Sequence, residues 1–477
     1  MDEIQEELRK LYRQKIEIEN QIKYLEEKVE KNSCFSFLLR DSIYISIKNL
    51  STSLVNELKN LAIFPNPQIK ILQNLRKPIY NTPKNIFTFE LDNGTLKLPR
   101  GLMRDVIRTL QTHKLHYSIK DERLYQKIDF PKITFELREE QKKSIEAIEK
   151  KDFSIFVAPP GFGKTLIASK MIEKRGVNTL VIVNKNMLLE QWIERFCSYF
   201  KMDKNEIGYL GKGKNTLNQR LDIATMQSLK NNSSLIQNYS FVIVDECHHI
   251  PAITFETIIK SFYGKYILGL SATPKRKDEM EPILFGQLGN ISYEVKSQKT
   301  NTKIVQIVHT DFESDCDNFS DLISQIISDT KRNELIVNQI MRHQGRKILV
   351  LTDRIEHLEN ISQLLLLKKI EYIVIHGSMK KKNQEENLSK IGDANLVLAT
   401  SSYFGEGIDF PHLDTIIFAT PISFSGRLIQ YLGRIGRNGD DCLAIDILDS
   451  KNNFTLSAFR KRKEGYNQLF YKLRDEK

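Results

Sequence analysis

The chain has few cysteines and no close pair of them. Cys34, Cys197, Cys247, Cys316 and Cys442 lie far apart with no Cys-x-x-Cys, which excludes zinc-ligand spacings and a disulfide framework and predicts buried thiols. No apolar run approaches the roughly 20 residues that a membrane-spanning helix needs, so no membrane partner is expected. The first residues, MDEIQEELRK, are charged from the second position and lack the apolar core and small-residue cleavage site of a secretion signal, which points to a cytoplasmic protein. There is no low-complexity tract and no short repeat, which excludes solenoids and disordered tails.

What is present fits a multi-domain globular protein. At 477 residues the chain is long enough for about three compact units, and 40% hydrophobic with 27% charged residues is the balance of a soluble fold. A net charge of +11 suits a polyanionic partner, because Lys and Arg that neutralise phosphates release condensed counterions. Charge alone does not single out nucleic acid, since many Lys-rich surfaces are merely solvated.

Four stretches differ in texture. In residues 1–31 the apolar positions Ile4, Leu8, Leu11, Ile18, Ile22, Leu25 and Val29 alternate steps of four and three, with Lys15 at the missing seam position. This heptad pattern predicts one helix, either folded onto its own chain or paired in a coiled coil that binds a partner or a second copy. Residues 32–130 mix short apolar runs with turn signals such as Phe64-Pro65-Asn66-Pro67 and Asp92-Asn93-Gly94, as in a small accessory domain. There Leu98-Pro99-Arg100-Gly101 reads as a loop entering a helix, with Arg100 either a phosphate contact or a surface residue beside a turn. From 131 to 298 and again from 299 to 477, β-branched runs alternate with helical patterns. Phe153–Val157, Thr179–Val183, Phe241–Val244 and Tyr266–Leu270 form the first series, and 347–351, 372–375, 396–398, 415–418 and 443–447 form the second. Two tandem α/β domains with parallel sheets are predicted.

Two motifs carry chemistry. The strand Phe153–Val157 runs into Ala158-Pro159-Pro160-Gly161-Phe162-Gly163-Lys164-Thr165 and then a helical segment, the context in which a Walker A loop wraps phosphates with backbone N–H groups. Lys164 then neutralises the β- and γ-phosphates of ATP, and the Thr165 hydroxyl holds Mg2+. A glycine-rich turn without function is the plainer alternative. The strand Phe241–Val244 ends in Asp245-Glu246-Cys247-His248, a Walker B site where Asp245 holds the metal and Glu246 orients and deprotonates the attacking water.

The order of these motifs resembles helicase superfamily two of the DEAD/DEAH type. The likeness continues through Ser271-Ala272-Thr273-Pro274, Gly405-Glu406-Gly407-Ile408-Asp409 and Gln430-Tyr431-Leu432-Gly433-Arg434-Ile435-Gly436-Arg437. It implies two RecA-like lobes that bind ATP with Mg2+ in the cleft between them and grip nucleic acid. Gln141, next to Arg138, becomes the adenine reader. Pro160, Gly161 and Gly163 with Gly407 and Asp409 belong to the nucleotide site, and Arg434 and Arg437 are arginine fingers. His248, Ser271, Thr273 and Gln430 couple nucleotide state to the groove. The backbone of nucleic acid is tracked by Thr225 and Gln227 in the first lobe and by Thr352, Arg354, His376, Gly377, Thr400 and Ser401 in the second.

Within the superfamily, Gly269 to Asp278 is similar to the XPB-like and restriction-enzyme-motor branch, which moves on duplex DNA, although no Arg-Glu-Asp triplet follows. Leu98-Pro99-Arg100-Gly101, Leu189-Glu190-Gln191-Trp192, Val244 to His249 and Tyr266 to Asp278 resemble the helicase portion of TOTE conflict-system proteins, bacterial genes associated with defence against invading DNA. The expectation is an ATP-dependent translocase or helicase on double-stranded DNA. An ATP-gated DNA-binding assembly subunit that recruits an effector through residues 1–31, and an RNA helicase, are the alternatives.

Overall fold

The computed structural model describes residues 35–249, 252–273, 279–295, 303–316, 318–404, 412–422, 425–435 and 441–476, with Glu6, residues 14–18 and Gln21. The few described positions of the N-terminal segment are helical and exposed, Ile16 and Ile18 included; its heptad seam otherwise lies outside the described residues.

The first large sheet has the strand order Lys214–Asn215, Gly208–Gly211, Leu221–Thr225, Thr179–Val183, Phe241–Val244, Tyr266–Ser271, Phe153–Val157 and Ile291–Glu294. Every pair is parallel except the short Lys214–Asn215 edge. Thr179–Val183 and Phe241–Val244 are buried along their whole length, as strands covered by helices on both faces must be, which explains their unbroken apolar sequence. The second sheet runs Ile373–Ile375, Leu396–Thr400, Ile348–Thr352, Thr415–Phe418, Cys442–Leu448, Lys303–His309 and Lys472–Asp475, all parallel. The chain is therefore an α/β protein with two parallel-sheet lobes. Lys303–His309 and Lys472–Asp475 extend the second lobe beyond the predicted strands. Of the four described cysteines, Cys247 and Cys442 are buried, whereas Cys197 and Cys316 are only half-buried.

Ahead of the lobes, a five-stranded sheet ordered Glu90–Asp92, Thr95–Pro99, Ser42–Ser46, Phe35–Leu39 and Tyr117–Asp121 packs against the helices Thr52–Asn60 and Met103–Thr112 over its own apolar core. Asn93 and Gly94 take φ of 46° and 76° in the hairpin turn that Asp92-Asn93-Gly94 predicts. The Arg100 loop is neither a surface turn nor a phosphate contact. Arg100 is fully buried, 4.6 Å from the Phe262 ring centroid and 5.4 Å from that of Phe153, and its Nη1 donates to Gly264 O at 3.3 Å. It pins the accessory sheet to the first lobe. A Cβ on Gly101 would come within 2.4–2.6 Å of backbone atoms of Phe285, Gly286 and Gly289, so only glycine lets this loop lie against the helix Glu281–Leu288.

In the second lobe a buried histidine holds a strand end. His357 Nε2 donates to Asn333 Oδ1 at 2.8 Å and its Nδ1 accepts from the Thr352 hydroxyl at 2.8 Å, because the Asn333 amide nitrogen is engaged with Ile327 O. Burial first, and the Arg332 charge second, push its pKa down to about 3.

Arg100→Ala should cost about 2–4 kcal/mol in chemical denaturation through the cavity it leaves. Arg100→Met should cost far less, because Nε and Nη2 of Arg100 are buried without a hydrogen-bond partner and the replacement removes that desolvated charge. The folded-state pKa of His357 lies below its unfolded 6.5, so its neutral form stabilises fully above 6.5 and that contribution is lost as pH falls towards 3. Relative to His357→Gln, wild-type stability measured by urea titration should decline by about 1.4 kcal/mol per pH unit in that window.

Candidate active site

Three neighbouring strands of the first lobe, Phe241–Val244, Tyr266–Ser271 and Phe153–Val157, end side by side, so their C-terminal loops meet. Ala158 N donates to Ser271 O at 3.0 Å, which ties two of these loops together, and Asp245 N donates to Ile182 O at 2.9 Å, which ties the third to the adjoining strand Thr179–Val183. Gly161 and Gly163 have φ of 80° and 99°, a region glycine enters without strain. The helix Lys164–Arg175 starts directly after them, presenting the N–H groups that any helix start leaves without intrahelical partners.

Charge is concentrated where these loops meet. Lys164 Nζ donates to Ala158 O at 3.2 Å and lies 3.4 Å from Glu246 Oε1. Asp245 is buried; its Oδ2 accepts from Trp192 Nε1 at 2.8 Å and its Oδ1 from Glu246 N at 2.9 Å. Burial foremost, then the Glu246 charge, raises the Asp245 pKa above the usual carboxylate range, with Trp192 and Lys164 opposing. Glu246 holds φ of 44°, a left-handed conformation that costs a non-glycine residue about 1–2 kcal/mol.

A cleft of ≈ 1010 Å³ opens here. Pro160, Gly161, Gly163, Lys164, Thr165, Asp245 and Glu246 line it from the first lobe, and Ser401, Arg427, Gln430 and Arg434 from the second. Among the described residues the lobes come close where a Cβ on Gly433 would stand 2.8–3.0 Å from the Pro160 ring. Beside it a hydrogen-bond chain crosses between them. Gln430 Nε2 donates to His248 Nε2 at 3.2 Å, and His248 Nδ1 donates to Ser271 Oγ at 2.8 Å. Ser271 Oγ in turn donates to Thr273 O. His248 Nδ1 also lies 3.5 Å from Glu246 Oε2. Arg434 Nη1 donates to Phe404 O at 2.9 Å, on its own lobe. Gly407, Asp409 and Arg437 lie outside the described residues.

Other expected positions are distributed unevenly. Gln141 ties the start of its helix to the phosphate loop: its Oε1 accepts from Arg138 N at 3.0 Å and its Nε2 donates to Phe162 O at 2.8 Å. Thr225 caps the helix Met226–Lys230. The Thr352 hydroxyl meets His357, the buried Ser401 Oγ donates to Thr352 O at 3.1 Å, and Thr400 is buried beside Ser402. These hydroxyls are engaged inside the lobes, which leaves Gln227, Arg354 and Gly377 as the exposed members of the set and His376 half-exposed. Trp192 and the Pro160–Gly433 contact were not singled out for the site. The only signal was Leu189-Glu190-Gln191-Trp192 as a family likeness, since Trp192 meets Asp245 across 53 residues of chain.

Residues 134–276 match the family described as type III restriction enzyme, res subunit, and residues 331–439 match the helicase conserved C-terminal domain. The chain is 28% identical over 340 residues to the probable helicase D10 of Escherichia phage T5, covering 69% of this chain and 74% of that protein. It is 26% identical over 399 residues to the DNA 3'-5' translocase XPB2 of Sulfurisphaera tokodaii, covering 72% of this chain and 89% of that one. Identity is also 26%, over 355 residues, to the putative ATP-dependent RNA helicase L396 of Acanthamoeba polyphaga mimivirus, covering 69% and 66%. In fold it is similar to S. cerevisiae Dbp5, solved with RNA and ADP BeF3, with a TM-score of 0.53 at 13% identity over 80% of this chain and 94% of that chain.

The Gly433 contact is open to a direct check. Gly433→Ala should hold the lobes apart, lowering nucleic-acid-stimulated ATP turnover by about tenfold or more, because small misplacements across a catalytic cleft are costly. ADP binding, measured by calorimetry, should change little.

Proposed function

Starting from a chain that belongs to helicase superfamily two, in the branch of XPB and the type III restriction enzymes, we propose that this ATP-hydrolysing motor acts on double-stranded DNA and moves along the duplex as its lobes open and close. The observation that carries the reading is the cleft in which Lys164, Asp245 and Glu246 of one lobe face Gln430 and Arg434 of the other. Duplex DNA as the track is supported by the net charge of +11 and by the likeness to a DNA translocase.

In the proposed cycle Lys164 leaves Ala158 O and Glu246 for the β- and γ-phosphates of ATP, which frees the Glu246 carboxylate to orient and deprotonate water. A magnesium ion arriving with the nucleotide supplies further charge neutralisation at the phosphates; Thr165 and Asp245 would hold it. The fit rests on Asp245, whose two oxygens are already fixed in direction by Trp192 and by Glu246 N–H. Arg434 exchanges Phe404 O for the phosphates when the lobes close, and Arg437 shares that role. Such charge stabilisation exists only in the closed cleft, which couples hydrolysis to movement. Strain at the phosphates then passes through His248, Gln430, Ser271 and Thr273. Gln227, Arg354, His376 and Gly377 supply donors to backbone phosphates. The likeness to TOTE helicase portions supports a place in a system acting on invading DNA, with residues 1–31 as the docking segment for an effector.

The test is the ATPase rate of wild type and Glu246→Gln with duplex DNA, single-stranded DNA, structured RNA or no polymer. Duplex DNA should stimulate wild type most, and the variant should lose at least about 100-fold of that rate. Stimulation by RNA alone would replace the DNA reading with an RNA helicase, and stimulation by none of the polymers would favour a partner-activated assembly subunit.

A further inference from the structure

Trp192 is the single tryptophan of the chain, and the cycle described above gives it no task of its own. It lies on the helix Asn186–Phe200, 3% exposed, with its ring edge-on to Phe196 at a centroid distance of 5.3 Å. The indole is therefore immobilised by packing. Its N–H is a donor with no acceptor capacity, and it ends 2.8 Å from Asp245 Oδ2, a well-formed hydrogen bond. The other oxygen, Oδ1, is held at 2.9 Å by Glu246 N. The carboxylate cannot turn about its own axis without losing both donors. An aromatic ring placed only to fill the core would be served by phenylalanine, as at the neighbouring Phe196 and Phe200; the nitrogen is what reaches the cleft.

We infer that Trp192 is a positioning residue for the metal-holding carboxylate: its indole N–H locks Asp245 in the orientation that receives the divalent cation, so that its emission reports cation loading of the cleft. This inference rests on the reading of Asp245 as a metal-holding residue. Groups that orient a metal ligand from behind typically change metal affinity about 10–100-fold when removed. An indole bonded to a carboxylate also changes its emission when a cation draws charge from that carboxylate.

The experiment uses the full chain with ADP and compares wild type, Trp192→Phe and Asp245→Asn. Mn2+ half-saturation is read from the paramagnetic resonance of the free ion, ADP affinity without metal from calorimetry, and wild-type emission during a Mg2+ titration. Trp192→Phe should raise the Mn2+ half-saturation about tenfold or more with metal-free ADP affinity unchanged. The same variant should also raise the Mg2+ requirement of the ATPase more than it lowers kcat at saturating metal. Wild-type emission should shift with Mg2+, and Asp245→Asn should abolish that shift. Should Trp192→Phe bind Mn2+ within about twofold of wild type while Asp245→Asn is weakened, the positioning role is overturned and the Asp245 reading stands. If Asp245→Asn binds Mn2+ as wild type does, the metal reading itself fails and this inference with it. Where Trp192→Phe does not fold, the wild-type emission decides: no shift across a Mg2+ range that fills the site overturns the proposal.

Discussion

Two adjacent carboxylates, Asp245 and Glu246, stand at the inner end of a strand that is buried along its whole length. Two like charges so close, one of them buried, repel each other and lose hydration, and that penalty is offset by the donors and the cation placed around them. Lys164 comes from the start of the helix Lys164–Arg175, the Trp192 indole from the helix that follows the neighbouring strand Thr179–Val183, and the Glu246 backbone N–H from a strained turn. The raised pKa of Asp245 is the residue of that conflict. In the proposed reading, the cation that accompanies a nucleotide would be the charge complement that relieves it.

Among the described residues, Gly433 and Gln430 bring the second lobe against this centre. Gly433 lies against Pro160, and Gln430 meets His248. Because the chain Gln430, His248, Ser271, Thr273 runs donor to acceptor in one direction, shifting either end re-aims the whole. A cleft wall of this kind has discrete arrangements rather than a continuum, since packed side chains do not deform gradually. The accessory sheet, by contrast, is fixed to the first lobe by Arg100 between two aromatic rings and by the close approach of Gly101. Motion in this protein is therefore expected between the lobes, with the accessory sheet carried along by the first.

The parallel-sheet architecture is legible in the sequence, because strands buried on both faces must be continuous apolar runs, and the runs at Phe241–Val244 and Thr415–Phe418 stand out against their flanks. The phosphate loop and Asp245-Glu246 were legible for a related reason: each follows such a strand directly, so local order alone places it at a sheet end. The edge strand Lys472–Asp475 is not legible, since a short charged strand is specified by the neighbour it pairs with rather than by its own pattern; Lys303–His309 lies inside the sheet, and its largely apolar run is the signal that could have found it.

Residues whose work depends on local chain direction were thus determined by the sequence: the glycines at positive φ, the lysine at a helix start, the carboxylates at a strand end. Tertiary structure alone decided the rest. Arg100 became a buried pin, Thr352 and Ser401 turned inward to hold strand ends, and Trp192 met a carboxylate 53 residues away. The physical reason is that hydrogen bonding and burial are properties of pairs in space. A donor's sequence says what it can offer, and only the packed lobes say which acceptor lies within 3 Å of it.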